Sequence, residues 1–330
     1  MLAIDSGVIS WKFIDYEELL ESAIEYMGSE RVLKIAIAER ERYVRQVLEQ
    51  LRDQQVSHYF YDPRSASERP WRSWVQAFAM ASALAWHGIT PISRMTDVHH
   101  RRWRAQTTLM SARRGTTIVL VHPREARQLA VHRNLIGPLP MPLSARTFAL
   151  VSRIRQEEQV RAQSVVFVGA LYEPRRAFLN EVGHLLSLEG VKLEMRVREA
   201  GGARISNDAY WRTLAQAEVI VSTSMMSYGP GQDRVNESHL IYRFTEACAV
   251  GRPLVTQAVP GAENVFEPGE DFVQCSDAAS AADVILALLQ DAETRERVAR
   301  AGARTVAELV EANYFWSAID NALGGALSGE

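Results

Sequence analysis

The sequence has 330 residues and a mass of 37.0 kDa; 47% of the residues are hydrophobic, 23% are charged, and the formal net charge is -3. A chain of this length predicts two domains, since one domain usually holds about 150 residues. The composition excludes a disordered chain, a collagen-like chain and a coiled coil, and the presence of only two cysteines excludes a disulfide scaffold.

The distribution of charged and apolar residues indicates where the protein is located and which kinds of partner it can bind. No run approaches the roughly 20 apolar residues of a membrane span, and the first 30 residues lack the pattern of a secretory signal, so we expect a cytoplasmic protein. Residues 31–160 hold 21 Lys and Arg against 10 Asp and Glu, which suits an anionic partner. This excess of positive charge could also serve a peripheral contact with a membrane, or it could simply form a solvated surface. Nucleic acid is disfavoured, because no recognised nucleic-acid-binding motif is present.

Short β-branched runs alternate with amphipathic stretches after residue 30, as in βαβ units around a parallel sheet. Residues 1–30 are predicted as an N-terminal helical extension, with a helix over 11–27. Residues 31–150 are predicted as the first domain. Its expected elements are strand 32–38, helix 41–54, strand 56–61, helix 71–86, strand 89–95, helix 101–113, strand 116–121 and helix 125–133.

The alternation restarts after a polar helix over 144–162, which predicts a second domain over 151–330. Its expected elements are strand 164–168, helix 175–189, strand 191–197, helix 208–217, strand 218–222, helix 238–250, strands 252–256 and 270–275, and helices 278–290 and 293–323. The predicted fold class is α/β, with two doubly wound domains in tandem. Ligands bind beyond the carboxyl ends of parallel strands, so we expect the site there, in a cleft between the domains.

The loop after strand 164–168 has residues suited to an anionic ligand. Gly169 lets the backbone approach a ligand closely, and the next helix offers free amides at its amino end. Arg175 and Arg176 lie at that helix start, where cations oppose the helix dipole. A bound anion would explain this placement; ordinary surface arginines are the alternative. No G-x-G-x-x-G fingerprint is present, which argues against a nicotinamide-dependent oxidoreductase.

A second loop, residues 223–236, is long for a connection between a strand and a helix, and it contains Tyr228. Asn236 or Ser238, the latter followed by His239, is predicted to cap the next helix, with first-turn amides available to a phosphate. Within that helix, Arg243 and Glu246 lie three residues apart on one face. Arg243 suits a diphosphate, and Glu246 suits the two hydroxyls of a ribose.

The alternative for Arg243 and Glu246 is a plain ion pair on a solvated helix. Their apolar neighbours Phe244, Ala247 and Cys248 predict instead a mostly buried helix. Burial of a charged pair costs free energy, which favours a functional role for the two residues.

A family resemblance rests on the run RFTEACAVGRPLVT, from Arg243 to Thr256. This run resembles the E-A-x-A-x-G-x-P element of GT-B glycosyltransferases, of the group 1 type, and is most similar to the CgeB-like branch. The resemblance covers roughly residues 160–323. It implies two Rossmann-like domains, with the acceptor bound by the first and a nucleotide-sugar donor bound by the second.

The function implied by the resemblance is transfer of a sugar, with retention of configuration, to an unidentified glycan, protein or small molecule. Glu246 would hold the donor ribose, and Arg243 would lie near the diphosphate. Arg175 or Arg176 would balance the charge of the leaving group, so no metal and no other cofactor is expected. The donor-binding residues are then predicted to be Gly169, Arg176, Tyr228, Ser238, His239, Arg243 and Glu246.

Ser238 departs from the family pattern. Many retaining relatives carry two glutamates spaced E-x7-E, and Ser238 stands where the first of them would be. A non-catalytic protein that binds a nucleotide or a sugar is therefore the alternative function.

Asp97 and His99 follow a strand end in the first domain and are predicted to border the acceptor. Either could act as a base if the reaction inverts the configuration, and with Arg175 they form the predicted catalytic set. A helix cap is the alternative for Asp97, and a surface polar residue is the alternative for His99.

Overall fold

The computed structural model describes residues 1–8, 14–95, 100–112, 115–119, 121–124, 126, 134–197, 206–225 and 238–328. Over these residues the chain forms two compact units, each built on one parallel sheet. The predicted α/β class, with two tandem units of this kind, is confirmed.

The first unit contains a sheet of six parallel strands. They are β1 (Leu2–Val8), β2 (Val32–Ile37), β3 (His58–Tyr61), β4 (Thr90–Met95), β5 (Thr116–Val119) and β6 (Asn134–Ile136). Their spatial order is β2-β1-β3-β4-β5-β6. The helices that accompany them are α1 (Ile14–Met27), α2 (Tyr43–Leu51), α3 (Pro70–Trp86) and α4 (Arg101–Ser111).

The predicted helical extension over residues 1–30 is wrong in its first part. Strand β1 lies inside the sheet and pairs in parallel with both β2 and β3. The polar residue Asp5 obscures the strand in the sequence, because it interrupts an apolar run. In the structure Asp5 is fully buried, and it accepts hydrogen bonds from Ser65 at 2.8 Å and from the Tyr43 phenol at 3.1 Å. Since these partners are distant in sequence, local patterning could not reveal that the carboxylate is satisfied.

The second unit contains a sheet of five parallel strands. They are β7 (Val165–Gly169), β8 (Leu193–Val197), β9 (Val219–Val221), β10 (Leu254–Thr256) and β11 (Val273–Gln274), in the spatial order β11-β10-β9-β7-β8. Its helices are α5 (Ala145–Glu157), α6 (Arg175–Leu188), α7 (Asn207–Ala215), α8 (Arg243–Ala249), α9 (Ala278–Gln290) and α10 (Ala292–Glu311). Apolar residues of β7, α6 and α9 form the main core of this unit.

The end of the chain departs from the predicted boundaries. The first unit extends to Ser144, the second begins at Ala145, and residues 313–330 belong with the first unit, not the second. The single helix predicted over 293–323 is interrupted at Asn313, whose φ of 46° is left-handed. Asparagine tolerates this conformation better than most residues. The last helix, α11 (Tyr314–Ala322), then packs against α1.

Trp316 of α11 is a central contact of the first unit. Its side chain is fully buried, its indole nitrogen donates to Ser22 Oγ at 3.0 Å, and its ring meets the edge of Phe60 at a centroid distance of 5.6 Å. Nearby, the Tyr26 phenol donates to Asp320 at 2.9 Å. The first unit therefore takes part of its core from residues that follow the second unit in the chain.

Two further observations concern cysteines and membranes. Cys248 and Cys275 are both free and buried. Burial raises the pKa of both thiols, that of Cys275 to about 12, so both stay protonated at neutral pH. Of the helices in the described ranges, none combines the length and the apolar character that crossing a bilayer requires.

Replacing Trp316 tests the role of α11. We expect Trp316→Ala to lower the free energy of unfolding by about 3–5 kcal/mol, because a large buried ring and its hydrogen bond are lost. Urea denaturation followed by circular dichroism measures the change. Trp86→Ala is the matched control: Trp86 is exposed, and we expect a change below about 0.5 kcal/mol. Equal losses in the two variants would contradict the role given to α11.

Candidate functional site

The turn after β7 lies at the carboxyl edge of the second sheet, where parallel sheets bind their ligands. Gly169 ends this strand with a φ of 153°. A β-carbon there would lie 3.0 Å from the Phe167 ring. Both the positive φ and the close packing against Phe167 favour glycine at this position.

Arg175 and Arg176 are the first two residues of α6, and both reach back over this turn. Arg175 is buried, donates to the Ala170 carbonyl at 3.2 Å, and places its guanidinium 4.3 Å from the centre of the Tyr172 ring. Arg176 is exposed and donates to the Leu171 carbonyl at 3.2 Å. Carbonyl groups and an aromatic face therefore offset the unfavourable position of these cations at a helix start.

The segment around Ser238 differs from its prediction. Helix α8 begins at Arg243 and has seven residues, and no side chain caps it. Ser238 instead forms an antiparallel bridge with Met225, and the amide of His239 donates to the Ser224 carbonyl at 2.8 Å. The predicted capping role of Ser238 is therefore wrong. A serine caps a helix only at the helix start, and here Ser238 pairs with a residue that follows β9, five positions before α8 begins.

Arg243 and Glu246 form a buried ion pair on α8, with 3.0 Å between guanidinium and carboxylate. The side chains are 11% and 5% exposed. Arg243 also donates to the Val168 carbonyl at 2.5 Å and to the Tyr210 phenol of α7. Helix α8 is thereby attached directly to the carboxyl end of β7. The ion pair of the alternative interpretation does form, but on a buried helix and not on a solvated one.

The pKa values of this cluster follow from burial and neighbouring charge. Burial lowers the pKa of the Arg243 guanidinium, but the Glu246 carboxylate and Tyr210 outweigh this effect, so the net direction is upward. Burial raises the pKa of the Tyr210 phenol well above its ordinary value, against the opposing effect of Arg243. At neutral pH the cluster therefore holds a guanidinium cation and a neutral phenol beside the Glu246 side chain.

Polar residues at the ends of β9 and β10 form a group that sequence reasoning missed. The Ser224 hydroxyl donates to the Gln257 carbonyl at 2.9 Å, and the Ser224 amide donates to Gln257 Oε1 at 3.1 Å. Gln257 Nε2 and Thr256 Oγ1 are buried and make no hydrogen bond within the described residues. The available signal was the placement of polar residues directly after two short apolar strands. Donors of this kind suit a polar ligand at the sheet edge.

The structure brings most of the predicted donor-binding residues to one sheet edge. Gly169 ends β7, and Arg176 follows it together with Arg175 of the predicted catalytic set. Ser238 and His239 lie beside the residues that follow β9, and Arg243 reaches β7 from α8. Asp97, His99, Tyr228 and Asn236 lie outside the described residues. Across the described ranges, no group of three or more His, Cys, Asp or Glu side chains is arranged to hold a metal ion.

Comparison with known proteins identifies the class. Residues 155–318 match the family described as glycosyl transferase-like. Together with the fold, this match identifies the protein as a glycosyltransferase of the GT-B type. A search of curated sequences gives no significant match.

Solved structures share the fold over nearly the whole chain. HepE from Anabaena, in complex with UDP, is 12% identical, with a TM-score of 0.57 over 96% of this chain and 98% of its own. AviGT4, a glycosyltransferase involved in avilamycin A biosynthesis, is 12% identical, with a TM-score of 0.60 over 98% of each chain. Sucrose-phosphate synthase from Thermosynechococcus elongatus is 14% identical, with a TM-score of 0.61 over 98% of this chain and 99% of its own.

A double-mutant cycle tests the Arg243–Glu246 pair. We expect Glu246→Leu to lower the free energy of unfolding by about 3–5 kcal/mol, because Arg243 is left as a buried charge without its carboxylate. The double variant Arg243→Met/Glu246→Leu should lose clearly less than the sum of the two single losses. Urea denaturation measures each term.

The exposed pair Arg297–Glu270, at 2.9 Å, is the control for this cycle. Its removal should change the unfolding free energy by less than about 1 kcal/mol. Strictly additive losses at Arg243 and Glu246 would show that the two side chains do not depend on each other.

Proposed function

We propose that the protein transfers a sugar from a nucleotide-sugar donor, held at the carboxyl edge of the second sheet, to an acceptor held by the first unit. The observation that supports the donor assignment best is the Glu246 carboxylate, fixed by Arg243 beside the end of β7. HepE, which has a similar fold, has been crystallised with UDP and with UDP-glucose. Uridine diphosphate is therefore the first probe to use.

Glu246 is assigned to the donor ribose. A carboxylate can accept hydrogen bonds from two neighbouring hydroxyls, which is the pattern that a ribose diol presents. Arg243 restrains Glu246 from one side and has 11% of its side chain exposed, so its charge also favours a nearby diphosphate. The pair gives this edge of the sheet one acceptor for sugar hydroxyls and one cation for phosphate.

The charge of the leaving diphosphate is assigned to the β7 turn. Arg176 is the exposed arginine there and would contact phosphate directly, while Arg175 holds the turn over Tyr172. Gly169 leaves room for the close approach of the ligand, and Ser238 and His239 border the same edge. Fixed guanidinium groups can stabilise developing negative charge without a divalent ion, so we propose metal-independent transfer. Asp97 and His99 remain the predicted acceptor-side groups.

The similarity of residues 243–256 to retaining GT-B enzymes supports retention of the anomeric configuration. Retention requires the acceptor to attack the face of the sugar that the diphosphate leaves, or two successive inversions. It does not require a base at the opposite face. The serine at position 238, in place of a sugar-contacting carboxylate, suggests that the donor sugar is held by other groups.

Binding of UDP tests the donor assignment. We expect Glu246→Gln to weaken UDP binding at least tenfold in isothermal titration calorimetry, because the amide accepts hydrogen bonds at only one atom. The loss should vanish with 2′,3′-dideoxyuridine diphosphate, which lacks both hydroxyls.

The control for this measurement is Glu181→Gln on α6, whose side chain is exposed and which should bind UDP as the unmodified protein does. If Glu246→Gln weakened both nucleotides equally, Glu246 would not contact the ribose. If UDP did not bind, a panel of other nucleoside diphosphates would be titrated in the same way.

Turnover of the donor tests the metal and stereochemical proposals together. With UDP-glucose and no acceptor, slow hydrolysis should release UDP at the same rate with and without EDTA. Proton NMR of the released sugar, recorded before mutarotation, should show the α anomer of the donor. Activity that EDTA abolishes and Mg²⁺ restores would contradict metal independence, and first appearance of the β anomer would contradict retention.

A further inference from the structure

The outer side of helix α3 is exposed and almost entirely apolar. Trp71, Trp74, Val75, Phe78 and Trp86 all lie on it, and Trp71, Phe78 and Trp86 are 63%, 65% and 87% exposed. Their spacing of three, four and eight residues places them along one side of the helix. We call these five residues the α3 aromatic face.

This face is additional to the side of α3 that packs in the core. Ser73, Gln76, Ala77, Met80 and Leu84 form the buried side. A helix on a protein surface normally presents charged residues to water, yet the only charged residue of α3 is Arg72, which pairs with Glu41. Three tryptophans and a phenylalanine on one exposed helix therefore indicate a contact surface.

The apolar surface continues into a groove beside the end of α3. The groove has a volume of about 800 Å³, and its walls include Phe78, Trp86, Pro91, Leu109 and Met110. It lies between the last turns of α3, the start of β4 and the last turns of α4. Ser82 and Thr90 also line the groove, so its walls are part polar and part apolar, which suits the boundary between lipid headgroups and acyl chains.

The charge of the surrounding helix favours an anionic partner. Helix α4 packs against α3 and contains Arg101, Arg102 and Arg104. Neither helix contains an aspartate or a glutamate. An apolar face beside arginines, with tryptophan at its edges, is the composition of helices that lie in the interface of an anionic membrane.

The shape of the face suits a lipid surface. Helix α3 has 17 residues and is therefore about 25 Å long. A membrane-bound helix needs only one apolar side, which enters the headgroup region by about 5–10 Å.

We propose that the α3 aromatic face binds the surface of an anionic lipid bilayer, with its tryptophans and the groove beside Trp86 at the boundary between headgroups and acyl chains. This inference concerns the first unit and does not depend on the donor assignment, since lipid binding can be measured without any nucleotide. It places the first unit at a lipid surface.

Flotation with lipid vesicles tests the proposal. The full-length protein should float with vesicles of equal parts phosphatidylglycerol and phosphatidylcholine, and much less with phosphatidylcholine alone. Phe78→Ser/Trp86→Ser should lower the partition coefficient roughly tenfold or more, because two large apolar side chains no longer enter the lipid. Both residues are exposed, and circular dichroism checks that the fold is kept.

Two control variants separate the face from general effects. Leu188→Ser removes an exposed apolar residue of the second unit and should bind vesicles as the unmodified protein does. Arg101→Glu should weaken binding to the anionic vesicles more than Arg304→Glu, an exposed arginine on α10, and raised salt should weaken binding in general.

Failure of the unmodified protein to float, or equal flotation of the double variant, would overturn the proposal. Light scattering tests whether a second copy of the chain covers the α3 aromatic face instead. A dimer that Phe78→Ser/Trp86→Ser converts to monomer would show that it does, and would also overturn the proposal. Loss of UDP binding leaves the vesicle result unchanged, so the two proposals fail separately.

Discussion

The largely buried guanidinium of Arg243 makes the contacts on which the candidate site depends. A charge moved out of water loses several kcal/mol of hydration, and this loss must be offset where the charge lies. Arg243 does so with the Val168 carbonyl, the Tyr210 phenol and the Glu246 carboxylate. These groups come from three segments that are far apart in sequence. The orientation of Glu246 is therefore a property of the folded second unit and not of helix α8 alone.

The arginines at the start of α6 are stabilised by neighbouring carbonyl groups. Arg175 and Arg176 oppose the helix dipole, and both donate to carbonyls of the turn that precedes them. The turn is thus stable without a bound anion, so the placement of two cations at a helix start is weaker evidence for a ligand than the sequence suggests. A guanidinium has five N–H donors, however, and one bond to a carbonyl leaves others for a phosphate. Exposure then separates the two residues, since only Arg176 presents its side chain to solvent.

Much of the fold follows from local pattern. The alternation of apolar runs and amphipathic stretches predicts four of the six strands of the first sheet and all five strands of the second, and helix α9 has its predicted limits. The failures occur where a distant residue decides the local structure. In the sequence Asp5 looks unsuited to a central strand, but Tyr43 and Ser65 donate hydrogen bonds to its carboxylate in the structure. The final helix looks continuous with α10, but its tryptophan is held by α1, which is 294 residues earlier in the chain.

The same distinction explains how much of the site could be predicted. The positions of Arg243 and Glu246 on one buried helix face follow from spacing and apolar neighbours, which are local. The partners of Arg243 could not be predicted, because Val168 and Tyr210 lie 75 and 33 residues away. The predicted start of α8 was wrong for a related reason. Ser238 has a side chain that can cap a helix, but its backbone pairs with Met225. Pairing between segments outweighs a capping preference worth about 1 kcal/mol. Residue type at a sheet edge therefore indicates which chemistry is available, whereas tertiary pairing decides which side chain presents it.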